Sequence, residues 1–184
     1  MEHKLWKIIS STTVFEQSPW LRVISEDVEL PDGSIVKDYL HLEALDFVMI
    51  VPVNREGEIG LIRSYKHGLR AIDIQPPAGY IDEDEVPLET AKRELLEEVG
   101  AISESWQPLG SYVIAGNRGA GTAHFFLAME CDLVAQPDPD DLELQEVLWI
   151  PIAQVQQSWE DGEYAQLSSS AILGLALSRL QDRK

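Results

Sequence analysis

The sequence predicts an α/β protein with a small antiparallel β-subdomain at its N-terminus. Three observations carry this reading. Residues 47–53, Phe-Val-Met-Ile-Val-Pro-Val, form a strongly apolar run of strand length, broken by Pro52, that reads as one arm of a hairpin. Leu88, Ala91, Leu95 and Val99 recur at steps of three and four, which draws one apolar stripe along a helix. Upstream of both, residues 1 to about 45 read as short strands punctuated by turn residues.

Taken in order, Trp20 to Ile24 and Ser34 to Tyr39 flank Pro31-Asp32-Gly33, a turn signal between two β-rich runs. A unit this small is not stable alone, so it is expected to pack on the main domain or on a second subunit. The expected division is residues 1–45 for this subdomain and 46–184 for the main domain. Phe47 to Val53 and Ile59 to Tyr65 read as a hairpin around Asn54 to Gly57. Pro87 suits the first position of the next helix, where its missing N–H costs nothing. Gly100 suits the residue just past its end, where positive φ is often needed. Trp106 to Val113 and His124 to Cys131 read as strands separated by a glycine-rich loop holding Gly116, Gly119 and Gly121. Pro137 to Asp141 is a turn-rich acidic loop. Leu148 to Ile150 reads as a strand ended by Pro151, followed by a short helix over 152–157. A C-terminal helix is expected from about Ser170, with Ile172, Leu173, Leu175, Ala176 and Leu180 on its buried side. The chain has no internal repeat.

Composition narrows the function classes. The chain has 184 residues, 45% of them hydrophobic, enough for a real core and one domain with an appendage. Its formal net charge is −18, which repels nucleic acid phosphates and argues against a polymer substrate. A small anionic substrate meets the same field and needs a metal and local cations to enter. Cys131 is the single cysteine, expected to be a buried small hydrophobe. No Cys/His cluster has zinc-ligand spacing. The apolar run at 47–53 is too short to span a bilayer. The charged start at Glu2, His3, Lys4 and Lys7 lacks an apolar signal core, so a cytoplasmic location is expected.

The chemistry concentrates between Gly79 and Ala101, GYIDEDEVPLETAKRELLEEVGA. At 100° per residue, Glu94, Glu97 and Glu98 fall within a sector roughly 100° wide beside the apolar stripe. Glu94 and Glu98 are a like-charge i, i+4 pair, which destabilises a helix unless something offsets it. Arg93 can reach Glu97 across one turn without neutralising the whole cluster; a bound cation can. Isolated, these carboxylates would be a solvated acidic face. The full pattern has seven fixed positions, and its chance occurrence is on the order of one in a million.

That segment resembles the Nudix box, G-x5-E-x7-R-E-U-x-E-E-x-G-U with U apolar, and every fixed position is present. The resemblance implies an α/β/α sandwich around a mixed sheet, with the box forming loop, helix and loop. It implies hydrolysis, dependent on Mg²⁺ or Mn²⁺, of a nucleoside diphosphate linked to another group. By position, Glu94, Glu97 and Glu98 resemble the metal ligands, and Arg93 and Glu85 the ion pair that braces the box. The Ala78 carbonyl resembles the backbone ligand of the ADP-ribose branch. Val86 stands where the family often has a capping serine.

Outside the box, Pro77-Ala78-Gly79 resembles the P-A-G of ADP-ribose and nucleotide-sugar pyrophosphatases, and Leu61 to Gly68 their strand carrying Q-Y-R. Ser64 and Lys66 replace its Gln and Arg, Gln75 stands where that branch has Glu, and the loop AGNRGAGTAH lacks its usual proline. The segment with Trp6, Pro19-Trp20 and Asp32-Gly33 is similar to their N-terminal β-subdomain. The family resemblance also suggests a homodimer.

The expected reaction is hydrolysis of ADP-ribose or a related nucleoside diphosphate sugar to a nucleoside monophosphate and a sugar phosphate. Another nucleoside diphosphate derivative, such as a dinucleotide, a nucleoside triphosphate, or a non-catalytic sensing role are the alternatives. Glu97 is one candidate general base. A later-loop glutamate is the other, with Glu143 preferred and Glu146 as the fallback. Arg63, Lys66, Arg70 and Arg118 are the candidate phosphate and sugar contacts, and Trp20, Trp6 or Tyr39 could stack on a base. His67 and His124 read as structural.

Overall fold

A computed structural model describes residues 5–138 and 144–182. The chain divides into two compact units, one of Met1–Asp46 with Tyr112–Thr122, the other of Phe47–Ser111 with Ala123–Lys184.

The first unit contains three long antiparallel strands, β1 (Lys7–Gln17), β2 (Leu21–Glu29) and β3 (Ile35–Ala44). They are longer than the short strands expected. β1 is rich in the β-branched residues Ile8, Ile9, Thr12, Thr13 and Val14, which favour extended backbone. It lacks a clean alternation because both of its faces are exposed. Ile24 and Val28 of β2 are the buried apolar residues of this unit.

The second unit is built on β4 (Phe47–Asn54), β5 (Glu58–Lys66), β6 (Ala71–Gln75), β7 (Ala78–Tyr80), α1 (Pro87–Val99), β8 (Ala101–Ile102), β9 (Ser105–Ala115), β10 (Gly119–Leu133), β11 (Glu146–Pro151), α2 (Ile152–Glu160) and α3 (Leu167–Gln181). The distal end of the β9–β10 hairpin belongs to the first unit. β10 runs parallel to β4, whereas β5, β7 and β11 join antiparallel, so the sheet is mixed.

β4 explains the sandwich. Met49, Val51 and Val53 pack with Ile59, Leu61 and Leu127 against Val155 of α2 and Ile172, Leu173 and Ala176 of α3. Val48 and Ile50, on the opposite face, pack against Ala91, Leu95 and Val99 of α1. Successive strand residues alternate faces, so a strand with a helix layer on each side must be apolar at every position. Leu175 and Leu180 pack at the margin of the core, while Leu177 is more deeply buried.

The glycine-rich stretch differs from expectation. β10 begins at Gly119, so Gly119 and Gly121 lie in a strand instead of a loop. Their φ values are +85° and +81°, and a Cβ there would come within 2.5 Å of the Leu42 carbonyl oxygen and 2.6 Å of that of Leu45. Close backbone approach, within the first unit, is what those glycines provide.

Candidate active site

The site is built from β7, the loop after it, and one face of α1. Val86 sits at the N-cap without a side-chain hydrogen bond, and Pro87 opens the helix. Gly100 ends it at φ 72°, and its N–H donates to the Leu96 carbonyl at 2.9 Å. The apolar stripe turns Ala91, Leu95 and Val99 into the core. Glu94 and Glu98 are thereby drawn to the edge of the core, where they are only 9% and 6% exposed.

Buried carboxylates need partners, and each has one. The Ala78 N–H donates to Glu98 Oε2 at 2.8 Å, tying β7 to the helix. Gln145 Nε2 donates to Glu98 Oε1 at 3.5 Å. Arg93 gathers the rest. Its Nε and Nη2 donate to the two oxygens of Glu85 at 3.2 and 3.0 Å. Its Nη1 donates to Glu94 Oε1 at 2.7 Å and to Glu97 Oε2 at 3.1 Å, and Nη2 also donates to the Tyr80 carbonyl at 3.3 Å. The Arg93 hydrogen bonds hold the Glu85 carboxyl below its ordinary range, and Glu85 in turn raises the Arg93 pKa. Arg93 therefore faces four carboxylates, Glu85, Glu94, Glu97 and, at 3.9 Å, Asp82, where helix geometry alone reads only the Glu97 contact.

Gly79 has a steric reason. A Cβ built on it would overlap the Glu94 carboxylate, so the glycine is the seat on which that side chain rests. Among the described residues, no three acidic, histidine or cysteine side chains already converge as a metal cage. Glu94 and Glu97 meet on Arg93 instead. The donor chemistry nevertheless fits a hard divalent cation, because three carboxylates and the Ala78 carbonyl offer oxygen alone.

The other candidates scatter. Arg63 and Glu146 lie opposite one another on β5 and β11 and form a 2.9 Å ion pair. Arg63 shares the parity of Ile59 and Leu61, and Glu146 that of Ile150, all on the sheet face covered by α2 and α3. The box carboxylates are on the α1 face, so Glu146 and Arg63 point to the other side of the sheet. Gln145 is the β11 neighbour that reaches the box. The sequence held the signal: Val147 and Trp149, which share its parity, are the α1-facing residues of that strand. Lys66 ends β5 and Arg70, at φ 54°, lies in the turn that follows. Glu143 lies outside the described residues.

Arg118 and Trp20 lie in the first unit. The Arg118 guanidinium stacks 4.3 Å from the Tyr39 ring centroid and donates to the Leu40 carbonyl at 2.8 Å, while Trp6 meets Tyr39 edge-on. Trp20 is 56% exposed. His67 contacts the Tyr65 hydroxyl and His124 that of Ser111. Cys131 is buried, and desolvation pushes its thiol up to about 12, which keeps it protonated and inert.

Comparison with known proteins identifies the family. Residues 45–169 match the NUDIX domain and residues 6–41 the nucleoside diphosphate sugar hydrolase N-terminal domain. An ADP-ribose pyrophosphatase of Mycobacterium tuberculosis is 32% identical over 154 residues, 82% of this chain and 72% of that one. One from Bacillus subtilis is 28% identical over 128 residues, 69% of each chain. A CMP-5'-(N-acetyl-N-hydroxy-3-aminopropyl)phosphonate hydrolase of Streptomyces rubellomurinus is 28% identical over 175 residues, 91% of this chain and 82% of that one. The crystal structure of an ADP compounds hydrolase superposes with a TM-score of 0.87 at 24% identity, covering 100% of this chain and 98% of that one, and so shares the fold. With the NUDIX match running across most of its length and the complete box folded around Arg93, the chain belongs to the Nudix hydrolase family and carries the N-terminal domain of nucleoside diphosphate sugar hydrolases.

Proposed function

We propose that this enzyme hydrolyses the pyrophosphate bond of ADP-ribose or a related nucleoside diphosphate sugar, releasing a nucleoside monophosphate and a sugar phosphate. One observation carries the reading: two nearly buried glutamates, Glu94 and Glu98, are seated on Gly79 and Ala78 of the P-A-G segment. The ADP-ribose pyrophosphatase relatives support the substrate class.

The family uses a divalent cation, taken here as Mg²⁺ or Mn²⁺, held by Glu94, Glu97, Glu98 and the Ala78 carbonyl. When bound, it supplies charge neutralisation at the phosphoryl oxygens and a more acidic water. Arg93 and Glu85 brace the box so that the carboxylates keep their places. Glu97 is the exposed member of the trio, at 45% of its side chain, and is suited to accept a proton from the attacking water. Glu143 is the other candidate for that role. Lys66, at the end of β5, and Arg70, in the turn after it, are cations offered to the substrate's phosphates, together with Arg63 and Arg118, and Trp20 as a stacking surface. Arg63 also pairs with Glu146, and Arg118 stacks on Tyr39 and donates to the Leu40 carbonyl.

A homodimer formed through residues 1–45 is part of this proposal, supported by the exposed Ile8, Ile9, Val14 and Phe15 of β1. No described helix is long and apolar enough to cross a membrane, in keeping with the proposed cytoplasmic location. A second reading, a nucleoside monophosphate joined to a group other than a sugar phosphate, is favoured by the Streptomyces relative that spans 91% of the chain.

The deciding experiment incubates the protein with a panel of nucleoside diphosphate sugars, dinucleotides and nucleoside triphosphates plus Mg²⁺ or Mn²⁺, and follows monophosphate release. ADP-ribose is expected among the best substrates. A chelator should abolish turnover, and Glu98→Gln should lower kcat by at least about 10²-fold. Tight binding of one compound with no turnover of any would assign a sensing role instead.

A further inference from the structure

A cavity of about 440 Å³ lies on the sheet face opposite the box helix. Its floor is Ile72, Ile74, Leu148 and Ile150, spread over β6 and β11. Ile72 is 64% exposed, a large aliphatic side chain left open to solvent at the cavity edge. Gln154 and Ser158 of α2 line the cavity too, and their i, i+4 spacing puts both on the same helix face. None of the box carboxylates lines it.

Charge and hydrogen bonding define what it accepts. Arg63 is the basic residue of the lining, and its guanidinium is committed to Glu146. Glu163 also lines the cavity, leaving one carboxylate against one neutralised cation. Asp73 borders the cavity between Ile72 and Ile74, and strand alternation turns its side chain to the other face of β6, where Gln166 donates to it. The Glu163 carboxylate can accept from a ligand N–H or O–H. Tyr164 lines the cavity as well, and burial pushes its hydroxyl up to about 12. It stays a protonated O–H at neutral pH, and it makes no hydrogen bond among the described residues. The cavity thus offers an apolar floor, the Glu163 carboxylate as an acceptor, and donors from Tyr164, Gln154 and Ser158. Its size falls within the range of small-molecule sites. An anion is opposed by Glu163 and by the net charge of −18.

We propose that this cavity is a second, non-catalytic ligand site that takes an uncharged, flat ring compound of nucleoside size bearing both hydrogen-bond donors and acceptors, and excludes its phosphorylated counterparts. A nucleobase fits this chemistry, with ring N–H or amino groups toward Glu163, a ring nitrogen or carbonyl toward Tyr164, Gln154 or Ser158, and a π-face on the aliphatic floor. The site would therefore discriminate a nucleoside from the nucleotides handled at the box helix.

The test titrates the full-length protein with adenosine, guanosine and cytidine, and with their monophosphates, by calorimetry. At least one nucleoside is expected to bind with a Kd below about 1 mM, and its monophosphate at least about tenfold more weakly. Gln154→Trp, a surface position that projects bulk into the cavity, should abolish nucleoside binding. Tyr164→Phe should weaken it about tenfold, the value of one lost hydrogen bond. Both variants should keep the thermal midpoint and the rate of monophosphate release, while Glu98→Gln should keep nucleoside affinity. The proposal is overturned if no nucleoside binds at millimolar concentration, if the monophosphates bind as tightly, or if binding survives Gln154→Trp and is lost in Glu98→Gln.

Discussion

Gly79 and Arg93 show how single residues set the geometry of the box. Gly79 leaves space that the Glu94 carboxylate fills, so Gly79→Ala must push that carboxylate away. A displacement of this order is expected to lower kcat by about 10²-fold, with the fold intact by circular dichroism. Arg93 uses a planar fork to hold Glu85, Glu94 and Glu97 together, a geometry a lysine cannot reproduce. The Glu85 carboxyl is held below its ordinary value of 4.5 by Arg93. A depressed folded pKa means the unfolded chain binds the proton more tightly. The stabilisation is therefore full above about 4.5 and is lost as pH falls through the folded value. Urea unfolding between pH 3 and pH 6 should show a steeper acid-side loss for the native chain than for Glu85→Gln; identical slopes would remove Glu85 from the account.

At the scale of the element, α1 is a helix with a good end and a poor beginning. Gly100 in the left-handed region closes its C-terminus, while Val86 at the N-cap leaves the first-turn N–H groups without a side-chain acceptor. Val86 is 57% exposed and already has φ −92° and ψ 145°, the backbone a capping serine adopts. Val86→Ser should therefore stabilise the protein by about 1 kcal/mol and raise Tm by about 2–4 °C, read by calorimetry, without lowering turnover. β11 teaches a complementary lesson. Its alternation sends Glu146 toward Arg63 and Gln145 toward Glu98, so adjacent residues of similar length serve opposite faces of one sheet.

For the whole molecule, the balance of charge governs approach of the substrate. A protein of net charge −18 opposes an anionic nucleotide sugar at long range, while the metal and nearby cations attract it at short range. Salt screens the long-range part first. The kcat/KM for ADP-ribose is expected to rise by about two- to threefold from low ionic strength to about 0.15 M, at saturating metal. A steady fall over that range would mean that local cations dominate the field.

The box could be read from the chain because its parts are local. Residues a few positions apart on one helix are brought together by 3.6-residue periodicity, so Glu94, Glu97, Glu98 and Arg93 were legible as a group, and Glu85 joined them through the family resemblance. The strand β4 was legible as one arm of a hairpin, because an apolar run of strand length is also a local signal, whereas its burial on both faces depends on helices from distant segments. Contacts between segments far apart in sequence were not legible. Which of Gln145 and Glu146 faces the box depends on the register of β11 against β5, and Arg118 turns to Tyr39 because a hairpin end joins the first unit. The sequence by itself grouped the box carboxylates with Arg93 on one helix, because helical spacing is short-range; the tertiary structure decided which faces Gln145, Glu146, Arg63 and Arg118 take, because strand register and sheet face are set by pairing between remote segments.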